Sequence, residues 1–103
     1  MNRRELIVSP IPYIPEGSDN AVSMKGLARI TGSTPRDVRR EILNARLSGE
    51  LICSNEHGYF RPTTEDEVKI WYRTMMSRVN TTLKMLEPFD IDKGDDEEGP
   101  DND

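Results

Sequence analysis

A chain of 103 residues, 34% hydrophobic and 32% charged, fits one domain with a small core under a heavily hydrated surface. The formal net charge of −5 is unevenly spread: residues 90–103 hold eight acidic residues and one lysine, a net −7 that leaves +2 for the rest. The single cysteine, Cys53, excludes an internal disulfide, and no apolar run approaches the ~20 residues of a membrane span.

The N-terminal stretch holds Leu6, Ile7, Val8, Ile11, Tyr13 and Ile14, too apolar for a free tail. Pro10, Pro12 and Pro15 forbid a continuous helix and come too early for a signal-peptide core. Residues 1–20 are therefore expected to form an extended arm lying on the domain, with a loop at Glu16–Asn20, in a cytoplasmic protein. An alternative role for the arm is to set Arg3 and Arg4 on a phosphate backbone.

Residues 21–87 carry the domain. Ala21–Ser23 suggests a very short strand, and Ser23 a cap for a helix over 24–31 whose apolar face is Met24, Leu27, Ala28 and Ile30. Gly32 ends that helix in a left-handed turn. Thr34 caps a second helix, with Pro35 in its first turn and Asp37 placed to complete an acidic capping box. This helix runs to about Ser48. Val38, Ile42, Ala45 and Leu47 are assigned to one face, and Arg36, Arg39, Arg40 and Asn44 to another. After Gly49, Leu51-Ile52-Cys53 reads as a strand, Ser54–Gly58 as a polar turn and Tyr59–Arg61 as the return strand. Leu51 and Cys53 are expected in the core with Val38, Ile42 and Ala45. Thr64 and Glu67 then form a capping box for a helix reaching Leu86. Val68, Trp71, Tyr72, Met75, Val79, Leu83 and Leu86 step along it by threes and fours, over about 33 Å. Residues 88–103 are assigned to an acidic tail, disordered from Asp90 onward for want of apolar content. Two helices joined by a short glycine turn, followed by a hairpin, make an α+β fold: a winged helix-turn-helix with a long C-terminal helix and a disordered acidic tail.

The chemistry points to binding. Arg36, Arg39 and Arg40 occupy the first turns of the second helix, where a recognition helix presents residues to base edges, and the planar guanidinium fork matches guanine or phosphate. Lys25 near the start of the first helix suits a phosphate contact. Ser33 and Thr34 can donate to phosphate while serving the turn, and Asn44, Asn55 and His57 complete the candidate DNA-contacting set. A solvated arginine face paired with Asp37 and Glu41 is the plainer alternative. Arg46 falls on another face and is read as structural. Cys53 and His57 lack the further ligands that structural zinc uses, so no metal is expected. No catalytic constellation, phosphate-cradling glycine loop, cofactor site or small-molecule site is evident, and no enzyme is expected.

Several motifs share one pattern: Ile14-Pro15-Glu16-Gly17 followed by Asn20-Ala21, Thr31-Gly32, Arg36 with Arg39-Arg40, Ile52-Cys53-Ser54, Gly58-Tyr59-Phe60, and Ser77-Arg78. From about Pro15 to Leu86 the chain thus resembles small winged helix-turn-helix proteins of bacterial phages and other mobile elements, and its middle section resembles the DNA-binding domain of the biotin repressor. The resemblance implies double-stranded DNA as partner, bound by the Arg36 helix and the hairpin wing in a regulator or DNA-transaction accessory factor. The sequence departs from the pattern where prolines crowd the usual first helix; the long C-terminal helix is expected to take its packing place.

Two readings compete. The winged fold can serve as a protein-interaction module without DNA, which the low body charge favours, or as an acidic inhibitor whose tail mimics nucleic acid. The long helix can cap the core, or pair with a second copy through Met76, Val79, Leu83 and Leu86.

Overall fold

The computed structural model describes residues 8–89. Within them lie three helices, α1 (Met24–Thr31), α2 (Pro35–Leu47) and α3 (Glu65–Leu86), and a two-stranded antiparallel sheet of β1 (Cys53–Asn55) and β2 (Gly58–Phe60). This α+β arrangement is compatible with a small winged helix. The expectations for Arg3, Arg4, Leu6, Ile7 and the tail from Asp90 fall outside the described residues. By internal packing the chain divides into Met1–Trp71 and Tyr72–Asp103.

In the first unit, local chemistry sets the helix ends. Ser23 accepts a hydrogen bond from the Gly26 N–H at 2.9 Å and starts α1. Gly32 stops it in the left-handed conformation (φ 74°), where a side chain would be strained. The Thr34 hydroxyl accepts from the Asp37 N–H at 3.1 Å and starts α2. The Asp37 carboxylate does not close the expected capping box; it pairs with Arg40 at 2.7 Å, one turn along the same helix.

The core joins both helices to the arm and the hairpin. Leu27, Val38, Ile42 and Ile52 are at most 1% exposed, and Ile14 and Ala28 complete the cluster. Each large side chain removed from water in this way contributes about 1.5–3 kcal/mol. Thr31, buried beside them, is satisfied by donating its hydroxyl to the Leu27 carbonyl at 2.9 Å. Cys53 and Phe60 are register partners, so both point to the same, buried side of the hairpin. Burial pushes the Cys53 thiol pKa up, which makes it an inert core residue.

Three apolar assignments are corrected. Leu47 is 76% exposed because nine residues after Val38 bring it, at ~100° per residue, to the opposite side of α2. Ile30 is exposed because it lies ~60° from Leu27 on the side away from Ala28 and Thr31, outside the buried sector that those three residues define. Leu51 is exposed while Ile52 and Cys53 are both buried: Leu51 and Ile52 precede β1, so strand alternation does not govern them.

The arm covers the core but is not simply extended. It folds into 3-10 turns at Ile11–Tyr13 and Ser18–Asn20. The first packs on α2, and Pro10 and Ile14 on either side of it are buried. The arm also runs along the free edge of β2. Val22 exchanges both backbone hydrogen bonds with Tyr59 (3.0 and 2.9 Å), the Arg61 N–H donates to the Pro15 carbonyl at 2.7 Å, and the Gly17 N–H donates to Arg61 at 2.8 Å. The strand expected near Val22 is thus a single bridge. An edge that would otherwise be open to other chains is closed.

The hairpin turn is tighter than expected. Asn55 pairs with Gly58 across two residues, Glu56 and His57, and the strands lie at 53–55 and 58–60, not 51–53 and 59–61. The Asn55 side-chain oxygen accepts from the N–H groups of His57 (2.8 Å) and Gly58 (3.2 Å). Gly58 has φ 141°, and a Cβ there would overlap the Val22 carbonyl and lie 2.6 Å from the Ser23 nitrogen. Only glycine fits between the turn and the arm.

The first turns of α3 belong to this unit. The Thr64 hydroxyl accepts from the Glu67 N–H at 3.2 Å, one half of the expected capping box; the return bond comes from Thr63 rather than Thr64. The Glu67 carboxylate reaches back to the Thr63 N–H at 2.7 Å and also accepts from the Ser18 N–H of the arm at 2.9 Å. These bonds, Thr63 first, hold its pKa down to about 2. Arg46 donates from Nε to the Ile52 carbonyl at 2.8 Å, and its guanidinium lies 5.7 Å from the Tyr59 ring centre and 5.1 Å from that of Trp71. Burial lowers its pKa, but an arginine stays charged in a protein.

In the second unit, α3 continues from Tyr72 to Leu86 and ends in a turn reaching Phe89. No residue of α3 is buried, so the expectation that it supplies core packing in place of a first helix is not met. A helix contributes core only where its stripe meets a facing apolar surface; here only Val68, Trp71 and Met75 are even half-buried on the apolar stripe.

Candidate nucleic-acid interface

The face of α2 opposite the core carries the candidate residues. Taking Arg36 as origin, ~100° per residue puts Arg39, Arg40 and Asn44 within one contiguous sector and Val38, Ile42 and Ala45 on the other side. Arg36, Arg39, Arg40 and Asn44 are all exposed. Arg39 extends toward α1, its Nη2 3.7 Å from the Met24 sulfur, and the exposed Lys25 is the next residue along. Arg36, Arg39 and Arg40 thus occupy the first two turns of α2, where the helix dipole adds positive potential, and Lys25 is exposed on the first turn of α1. Among the described residues, no ion pair engages Arg36 or Arg39, while Arg40 is half committed to Asp37. Buried Val38 and Ile42 fix the helix that carries them.

The remaining candidates separate into builders and exposed groups. Ser33 is half-buried, with its hydroxyl 2.8 Å from that of Thr31, and secures the turn between the helices. Thr34 is exposed while capping α2. The Asn55 oxygen is consumed by the hairpin turn, and its Nδ2 donates to the Ser18 carbonyl at 3.1 Å. His57 stands exposed at the tip, 3.3 Å from the carboxylate of Glu56. Glu56 was absent from the expected set, although an acid in a two-residue turn is legible once the turn is drawn that tightly. It sets a negative charge beside the only tip residue able to approach a phosphate.

This surface is suited to binding polyanions through several fixed cations. Arg46, read as structural, is spent on Ile52, Tyr59 and Trp71. Cys53 is fully buried and His57 exposed, so the two cannot share an ion, and among the described residues no group of three His, Cys, Asp or Glu could hold a metal. No helix among the described residues is long and apolar enough to cross a membrane. Comparison with protein-family models, curated proteins and solved structures finds no match to the chain.

Proposed function

We propose that the chain is a winged helix-turn-helix DNA-binding protein, acting as a transcription regulator or DNA-transaction accessory factor of a phage or mobile element. The first two turns of α2 enter the major groove, Arg36 and Arg39 reach base edges or phosphate, Lys25 contacts the backbone, and the hairpin lies against the flanking phosphates. The observation that carries this reading is the exposed arginine sector on a helix whose other side is locked into the core.

A second reading, a protein-interaction module that does not bind DNA, draws on the charge. Residues outside the tail carry only +2, Asp37 occupies Arg40, and Glu56 sits at the hairpin tip. Fluorescence anisotropy with random duplex DNA separates the two, using the full chain, a chain ending at Phe89, and the combined Arg36→Ala, Arg39→Ala, Arg40→Ala variant. DNA binding that the triple variant abolishes supports the first reading. Absence of binding by all three chains at low salt leaves the second.

A further inference from the structure

The C-terminal part of α3 presents a seam that nothing in the described chain covers. Tyr72, Met76, Val79, Leu83 and Leu86 follow one another at spacings of four, three, four and three residues, and all are 40–60% exposed. These spacings suit the seam of a two-helix coiled coil as well as the stripe of a helix lying on a core, so exposure and flanking charge decide between them. A helix of this length with no buried residue has little stability of its own in water.

The charges beside the seam identify what covers it. Assigning Met76 and Leu83 to position a and Tyr72, Val79 and Leu86 to position d puts Arg73, Asn80 and Glu87 at successive e positions. In an antiparallel pair, e positions face e positions. Stacking Met76 on the partner's Leu86, and Val79 on the partner's Leu83, brings Arg73 beside the partner's Glu87, Asn80 beside the partner's Asn80, and Glu87 beside the partner's Arg73. The charge pattern is its own complement about Asn80, as a two-fold interface demands. A parallel pair has no such match: e faces g, and the g positions are Met75 and Thr82. It would also start both −7 segments that follow Phe89 at the same end, where they repel.

We propose that two copies of the chain associate through an antiparallel pairing of the Tyr72–Leu86 segments, with Arg73 and Glu87 closing ion pairs at both ends. This does not depend on DNA binding. The four layers run from Met76 to Leu86, about 15 Å, so the dimer is weak and concentration-dependent.

Sedimentation of the full chain over a concentration series reads the association, and cysteine cross-linking reads its direction. Cys53 is fully buried and does not compete. The expected result is a reversible dimer in which Asn80→Cys is linked by a short bis-maleimide and Met76→Cys, about 15 Å from its symmetry mate along the axis, is not. Arg73→Glu alone weakens association roughly tenfold by turning two attractions into repulsions, and adding Glu87→Arg restores it. All four positions are exposed, so the variants leave the core intact. A chain that stays monomeric throughout the series overturns the proposal. So does a dimer cross-linked by Met76→Cys in place of Asn80→Cys, or one indifferent to the charge reversals.

Discussion

The two parts of the described chain use apolar residues in opposite ways. Up to Trp71, Ile14, Leu27, Val38, Ile42, Ile52 and Phe60 are buried, while Ile30, Leu43, Leu47 and Leu51 stay exposed among the charged residues. From Tyr72 onward, Tyr72, Val79, Leu83, Leu86 and Phe89 stay open to water. Hydrophobic patterning alone does not distinguish these outcomes, since both parts show helical periodicity. What differs is whether a second apolar surface is present to meet the stripe. The first part therefore has a buried core that fixes its exposed arginines, and the second has an apolar stripe with no buried residue.

The contrast is sharpest under truncation. Ile42→Ala should cost about 3 kcal/mol of unfolding free energy by leaving a cavity in the core. Leu83→Ala should change the same unfolding transition by no more than about 0.5 kcal/mol at concentrations where the chain is monomeric. Chemical denaturation of both variants measures the difference, and equal costs would show that the second part shares the core.

Gly58→Ala comes next, at about 2–4 kcal/mol, because the added carbon meets the Val22 carbonyl and the φ of 141° is foreign to alanine. The loss should appear in thermal melts as a lower Tm. Arg46→Ala should cost about 2 kcal/mol by removing the Ile52 hydrogen bond and both ring contacts. Arg46→Lys should recover only part of that, since lysine lacks the planar fork.

The smallest effect is one of pH. The Glu67 pKa is depressed from an ordinary 4.5 to about 2, so its contribution is fully present above about 4.5. It is lost progressively as the pH falls from there through about 2. Glu67→Gln should flatten the acid limb of stability over that interval, and an unchanged limb would mean that Ser18 and Thr63 do not hold the carboxylate in solution.

Legibility in the sequence followed the range of the interaction. Helix starts were readable because Ser23, Thr34 and Thr64 act on groups three residues away, and Gly32 acts on its own φ. The arginine sector was readable because helix geometry fixes it once the start is known. The strand limits were not, because Asn55 tightens the turn through its side chain and shifts every boundary. The exposure of Leu51 was hidden because the strand begins two residues later, at Cys53, and alternation does not reach it. The arm's 3-10 turns and the reach of Glu67 to Ser18, 49 residues apart, depend on contacts that no local pattern encodes. Glu56 was legible as the middle of the Ser54–Gly58 turn; what was not legible is its carboxylate standing 3.3 Å from His57.

In the proposed function, Arg36, Arg39 and their neighbours on α1 and α2 form the DNA-binding face. The most direct measurement is the salt dependence of duplex binding by the chain ending at Phe89, which removes competition from the −7 segment. With three or four phosphates contacted, the logarithm of the binding constant should fall against the logarithm of salt with a slope of about −3 to −4, and Arg36→Ala should make that slope shallower by about one. No binding at low salt, or a slope unmoved by Arg36→Ala and Arg39→Ala together, would contradict it.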